Sequence, residues 1–294
     1  MTGFRGSRRD VTAFATAHPS VPAFYLVVTL ALTMSAMQPV LIGISLAGAL
    51  AYGVAARGWR SCLAALRWQL PVILIIAVLN PLFSAAGSTE LFRIGPRAVY
   101  LESLAYGCSM GGLFVASVLW FQAAASMLSF DRVMALAGNV APVIALMVSM
   151  CMRMIPRFVR QGRAILAAQD TALAAGDGGA LDATRARLRT ATVLMGWTME
   201  DSLETADAMR ARGWSAARRR TTYTRFHFSS ADAARLAALA IGAAAVGFLA
   251  WVAASQYRYY PVMSGLIIWW GYAPYAAWML VPAILHAIAE RRFS

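Results

Sequence analysis

Long apolar runs alternate with one extended polar stretch along this chain, and the lengths of the runs predict its layout. Residues 21–54 are apolar but too many for one membrane crossing, and Gln38-Pro39 interrupts them. A proline inside a helix removes a hydrogen bond and clashes with the preceding turn, so two short helices forming a hairpin are expected there. A third span is predicted over 70–83, led in by an amphipathic stretch at 62–68, and a fourth over 103–130. From 131 to 228 the pattern turns mixed and basic, too long to be a turn. Two closing spans, 236–254 and 261–288, flank an aromatic turn at 256–260. The expected fold class is all-α, a polytopic membrane protein of about six transmembrane helices with a cytoplasmic helical module.

Composition agrees: 60% hydrophobic and 13% charged residues, with a mean hydropathy of +0.60, exclude an ordinary water-soluble domain. The net charge of +13 is carried entirely by arginine. Arg5, Arg8, Arg9, Arg57, Arg60, Arg67, the long insert and Glu290-Arg291-Arg292 all fall on one side of the predicted topology, whereas Glu90, Arg93, Arg97 and Glu102 balance on the other. The positive-inside rule makes the basic side cytoplasmic and puts both termini there. The first residues read as a cytoplasmic tail rather than a cleaved signal. No basic stripe is interleaved with aromatics, which speaks against nucleic acid as a partner. Trp251, Tyr257, Tyr259, Tyr260, Trp269 and Trp270 suit an interfacial belt. Cys62, Cys108 and Cys151 read as small hydrophobes in packed helices, and the isolated His18, His227 and His286 suggest no metal site.

Within the insert, Asp131 is placed to cap a helix through Val133, Leu136 and Val140 that continues, kinked, past Pro142. A second bend is expected at Pro156. Ile155, Val159, Gly162 and Leu166 then recur at helical spacing, with Arg153, Arg157 and Arg160 on a neighbouring face suited to phospholipid headgroups or to a protein partner. Gly176-Asp177-Gly178-Gly179 breaks the helix. Another starts near Thr184, basic at Arg185, Arg187 and Arg189, then acidic at Glu200, Asp201, Glu204 and Asp207, with Met199, Leu203, Ala206 and Met209 as its apolar stripe. Arg210 and Arg212 suit the negative end of that helix, and Gly213 suits a left-handed stop.

Met152-Arg153-Met154-Ile155-Pro156, Ala168-Gln169 two turns later and Ala208-Met209-Arg210-Ala211-Arg212-Gly213 together resemble the transmembrane (T) component of energy-coupling factor transporters, the CbiQ/EcfT family. Asn80-Pro81-Leu82-Phe83 resembles a recurrent turn in the membrane part of that family. The resemblance divides the chain into a cytoplasmic tail at 1–20, N-terminal transmembrane helices at 21–130, cytoplasmic coupling helices at 131–228, and a C-terminal transmembrane hairpin with a short cytoplasmic tail at 229–294. It implies an energy-transducing, non-catalytic subunit that couples ATP hydrolysis by two ABC-type ATPase subunits to vitamin or metal-ion uptake. Substrate would be bound by a separate small membrane (S) subunit. ATP-Mg would sit on the partners, and this chain would bind no cofactor and no metal.

By the same resemblance, Arg210, Ala211, Arg212 and Gly213 are the ATPase-coupling motif, and Arg153 and Pro156 belong to the coupling-helix signature. Ala168 and Gln169 form a degenerate first motif, because the arginine-glycine pair that usually follows is replaced by Asp170-Thr171-Ala172. Either Arg163 or an arginine of the next helix substitutes, or the two ATPase contacts are unequal. Ile155, Val159, Leu166, Met199, Leu203 and Ala206 would offer a sliding apolar surface to the S subunit, as the helix tips are pulled together and apart. The rival classes are the permease subunit of a conventional ABC importer, whose Glu-Ala-Ala loop is missing, and a stand-alone membrane protein. An enzyme would need convergent titratable groups, and the span centres hold no Asp, Glu or Lys.

Overall fold

The computed structural model describes residues 17–83, 87–94, 97–173, 180–214, 228–260, 263–265 and 269–293. In chain order the elements are helices α1 (Ser20–Ser35), α2 (Pro39–Arg57) and α3 (Trp59–Phe83), strands β1 (Glu90–Ile94) and β2 (Arg97–Tyr100), and helices α4 (Leu101–Met127), α5 (Phe130–Val140), α6 (Pro142–Leu173), α7 (Ala180–Ala211), α8 (Ser230–Gln256) and α9 (Tyr272–Phe293). Among the described residues, five helices, α2, α3, α4, α8 and α9, are long and apolar enough to cross a membrane. At 16 residues, α1 is apolar but shorter. At about 1.5 Å per residue it reaches roughly 24 Å, less than the ~30 Å hydrocarbon layer. The expected six crossings therefore stand at five full-length helices and one short apolar helix.

Two compact units divide the chain: residues 1–133 with 226–294, and residues 134–225. In the first, α2 lies against α4 and α9, α3 against α4, and α1 against α4 and α8. Its core is aromatic and aliphatic, with Tyr25, Tyr52, Trp120, Tyr275, Leu26, Leu41, Leu119 and Met279 buried. Three of the aromatic side chains in that core have their polar groups paired there, which offsets the cost of burying them. Trp278 Nε1 donates to Thr29 Oγ1 at 3.0 Å, Tyr25 Oη to the Trp278 carbonyl at 2.7 Å, and Trp120 Nε1 to Ser45 Oγ at 3.0 Å. The α2–α9 crossing is close enough to require a residue without a side chain: a Cβ built on Gly48 would lie 2.7 Å from Met279 Cβ.

The Gln38-Pro39 break falls where the sequence puts it, between α1 and α2. Other expectations need correction. The third span is one helix from Trp59, absorbing the stretch read as an amphipathic lead-in. The predicted kink at Pro142 is a full stop: α5 ends at Val140 and α6 begins with the proline, whose missing N–H costs nothing at a first helical position. Asp131 lies in the first turn of α5 rather than at its cap, and the amides of Arg132 and Val133 bond instead to the Ser129 carbonyl at 3.0 and 3.1 Å. Pro156, where a bend is expected, lies inside α6, a single helix of 32 residues. α7 starts at Ala180 instead of near Thr184, and the final span becomes helical only at Tyr272. The glycine-rich breaker and the N-terminal arginines lie outside the described residues.

Three side-chain readings also change. Cys62 is buried, but Cys108 and Cys151 are exposed. Tyr259 does not belong to an interfacial belt: it is buried, donates to the Met37 carbonyl at 2.8 Å and packs edge-on against Tyr106 and Tyr257. Its burial raises the phenol pKa. Finally, the stretch read as a loop of balanced charge contains an antiparallel hairpin of β1 and β2, with an irregular register between Glu90 and Phe92. The buried Glu102 carboxylate seats its base, accepting from Ser88 Oγ at 2.9 Å and Thr89 Oγ1 at 2.7 Å.

Candidate functional site

The second unit is built around α6 and α7, each 32 residues long. The end of α7 is finished by its own backbone. Gly213 sits at φ +77°, its N–H bonds the Arg210 carbonyl at 2.9 Å, and the Trp214 N–H reaches back to the Met209 carbonyl at 2.9 Å. This pair of bonds is a Schellman closure, which needs one residue in the left-handed region and therefore favours glycine. It projects Arg212 from the helix terminus. Arg212 and Ala211 are exposed, and among the described residues no ion pair or side-chain hydrogen bond holds the Arg212 guanidinium. Arg210 is 3.7 Å from Asp207, but both side chains are about four-fifths exposed (80% and 78%), so water screens the pair. The helix thus ends in two cations at the negative end of its dipole, with donor groups available to an acidic surface.

Facing contacts define how α6 and α7 pair. The Arg157 guanidinium meets Asp201 at 2.7 Å and lies 5.2 Å from the Trp197 ring centre. Phe158 packs edge-on against Trp197, with ring centres 5.8 Å apart. A Cβ on Gly162 would touch Leu194 at 3.5 Å, and Thr190 Oγ1 donates to Gln169 Oε1 at 3.2 Å. Numbers rising on α6 match numbers falling on α7, so the helices run antiparallel.

The structure distributes the sequence-predicted residues over different faces. Arg153, Pro156 and Arg163 on α6 are exposed, as is Ala168. Gln169 is not: it is half-buried and turned toward α7. Ile155, Val159 and Leu166 form an exposed stripe on α6 beside the contact with α7. Met199 and Leu203, 69% and 68% exposed, share one side of α7 with Ala206, Leu188 and Met195, opposite the side carrying Thr190, Trp197 and Asp201. One apolar side of α7 is therefore used within the chain and the other is left open. The tie of Arg157, Asp201 and Trp197 was missed in sequence, where Arg157 reads only as one of three arginines. The available signal was an isolated Trp-x-x-x-Asp on one helical face, an aromatic and a carboxylate stacked one turn apart.

A family model described as CbiQ, cobalt transport protein, matches residues 14–223, a stretch that takes in α1 to α7 and the closed end of α7. The chain belongs to the CbiQ family. It is a multi-pass membrane protein and a component of a transport system. The CbiQ match includes both helices of the second unit and stops short of α8 and α9. A comparison with curated proteins gives no match.

Proposed function

We propose that this CbiQ-family chain is the energy-transducing transmembrane subunit of an energy-coupling factor importer. The observation that carries the reading is the end of α7, where Arg210 and Arg212 project from a Schellman-closed tip. Two ABC-type ATPase subunits hold ATP-Mg and hydrolyse it, and at least one receives this tip in an acidic groove. Charge-assisted bonds to Arg212 are roughly twice as strong as neutral ones, and Gly213 lets the partner's backbone approach closely. Arg153 and Arg163 are further basic contacts on α6. A small membrane subunit binds the substrate, a vitamin or a metal ion, and covers the open apolar stripes of Ile155, Val159 and Leu166 and of Met199, Leu203 and Ala206. Flexible methionines such as Met195 and Met199 suit a face that must accept and release a partner. The arginine asymmetry supports a cytoplasmic side for both termini and for α6 and α7, and membership of the CbiQ family supports a prokaryotic plasma membrane.

Gentle purification of the tagged chain from its native membranes, followed by mass spectrometry of what comes with it, tests the reading. Two ATP-binding chains and one small hydrophobic chain are expected, the last naming the substrate class. Recovery of this chain alone, under conditions that keep other membrane complexes whole, would return Arg210 and Arg212 to helix-end charges.

A further inference from the structure

We propose that Arg157 and Asp201 are positioning residues that tie α6 and α7 into a single lever, so that a pull on the α7 tip moves both helices together. The inference rests on the reading of that tip as an ATPase contact.

The geometry divides α7 into a braced part and a free part. From Thr190 to Asp201 it is tied to α6 at both ends, by Gln169–Thr190 and by Arg157–Asp201. Between them stand the Phe158–Trp197 and Gly162–Leu194 contacts. Along α6 the two ties are twelve residues apart, about 18 Å. Beyond Asp201, residues 202–208 are all exposed, and the helix runs on about 15 Å to its closed end. A force at Arg212 therefore travels down an unsupported rod and is first met at Asp201.

That first tie resists sliding. The Asp201 side chain is only 9% exposed, and Arg157 Nη1 reaches both its oxygens, at 2.7 and 3.0 Å. The same guanidinium lies on Trp197, which Phe158 closes from the α6 side. Slippage by one turn, about 5.4 Å, would draw the cation off a buried carboxylate and leave that charge uncompensated. Gln169 adds a second reason for a lever. This residue of the degenerate first motif is engaged with Thr190, so a load entering through the α7 tip reaches the Gln169 end of α6 through the ties. The two helices then move as one instead of sliding past each other.

Electron-paramagnetic distance measurements on the assembled complex test this directly. Cys62, Cys108 and Cys151 are replaced by serine, nitroxides are attached at Ala164→Cys and Thr205→Cys, both exposed positions, and the complex with its ATPase subunits is placed in lipid nanodiscs. With the tie intact, the distance should change by less than half a helical turn, about 3 Å, between nucleotide-free and non-hydrolysable-ATP states. Asp201→Asn should broaden the distribution and shift it by a turn or more, and the exchanged pair Arg157→Asp with Asp201→Arg should narrow it again. A full-turn shift in the parent, an unchanged Asp201→Asn sample, or an exchanged pair that stays broad would each overturn the lever. Co-elution of ATPase subunits is read on the same samples: its absence from the parent would overturn the docking reading, while its presence beside a shifted distance would overturn the lever alone.

Discussion

The backbone N–H of His18 donates to Asp232 Oδ1 at 3.4 Å, joining the approach to α1 to the start of α8 across 214 residues of sequence. Asp232 also completes a capping box with Ser229 and pairs with Arg235 at 3.1 Å, while Phe228 packs edge-on against the His18 ring. One carboxylate therefore serves a helix cap, an ion pair and a link between distant segments. Asp232→Ala should lower the melting temperature of the detergent-solubilised protein by about 2–4 °C, the range expected for a lost cap in a chain of this size. Asp232→Asn, which keeps one acceptor oxygen, should fall between. An Asp232→Ala protein that melts like the parent would show that the three bonds add nothing.

Crossing distance sets a second prediction. Gly48→Ala forces a methyl against Met279, 2.7 Å from its Cβ and 2.9 Å from its carbonyl oxygen, so α2 and α9 must part. Overpacking of this kind costs about 1–3 kcal/mol. Gly43, on the same helix, has nothing within 4 Å of its added Cβ. Gly43→Ala should be tolerated, and equal thermal stability of the two variants would rule out a tight crossing.

At the α7 tip the two arginines should separate. Arg212→Ala is expected to leave the protein inserted and ATP hydrolysis running while uptake of the co-purifying subunit's substrate falls at least about tenfold, the equivalent of roughly 1.4 kcal/mol. Arg210→Ala should be milder, because Arg210 lies within the last turn of α7 whereas Arg212 stands beyond its end. Arg163→Ala should be milder too, and a loss equal to that of Arg212→Ala would mean that Arg163 has taken over the missing first-motif contact. Uptake at the parental rate in Arg212→Ala would remove Arg212 from the coupling motif.

Gly213 separates backbone from charge. Gly213→Val keeps both arginines but opposes the left-handed φ of +77° at about 1–2 kcal/mol, so the last turn should fray. Weaker retention of the ATPase subunits, with helix content by circular dichroism unchanged within a few residues, is the expected result. Full retention would mean that the charges act without the closed turn.

The legible part of this fold was local. Apolar run length marked the membrane-spanning regions, a proline marked the α1–α2 break, and cations followed by glycine marked the end of α7, because each depends on neighbours a few residues away. What escaped was tertiary. Arg157 and Asp201 are 44 residues apart and look like ordinary surface charges until two helices are laid together. Tyr259 carries the amphipathic signature of a belt residue, and only the Met37 carbonyl, 222 residues away, draws it inside. The β1–β2 hairpin was hidden by its brevity and mixed charge, which give no clean alternation. The Ser229-to-Asp232 box was readable in principle, a serine three residues ahead of an acid, but basic residues and aromatics just before it obscured the helix start.

The closed end of α7 has a thermodynamic consequence. Its last carbonyls are satisfied by Gly213 and Trp214, so a docking partner need not order the backbone there. What remains is to immobilise two arginine side chains, at about 0.5–1.5 kcal/mol each. A tip pre-organised in this way can be gripped and released on every cycle without a turn of helix melting between strokes.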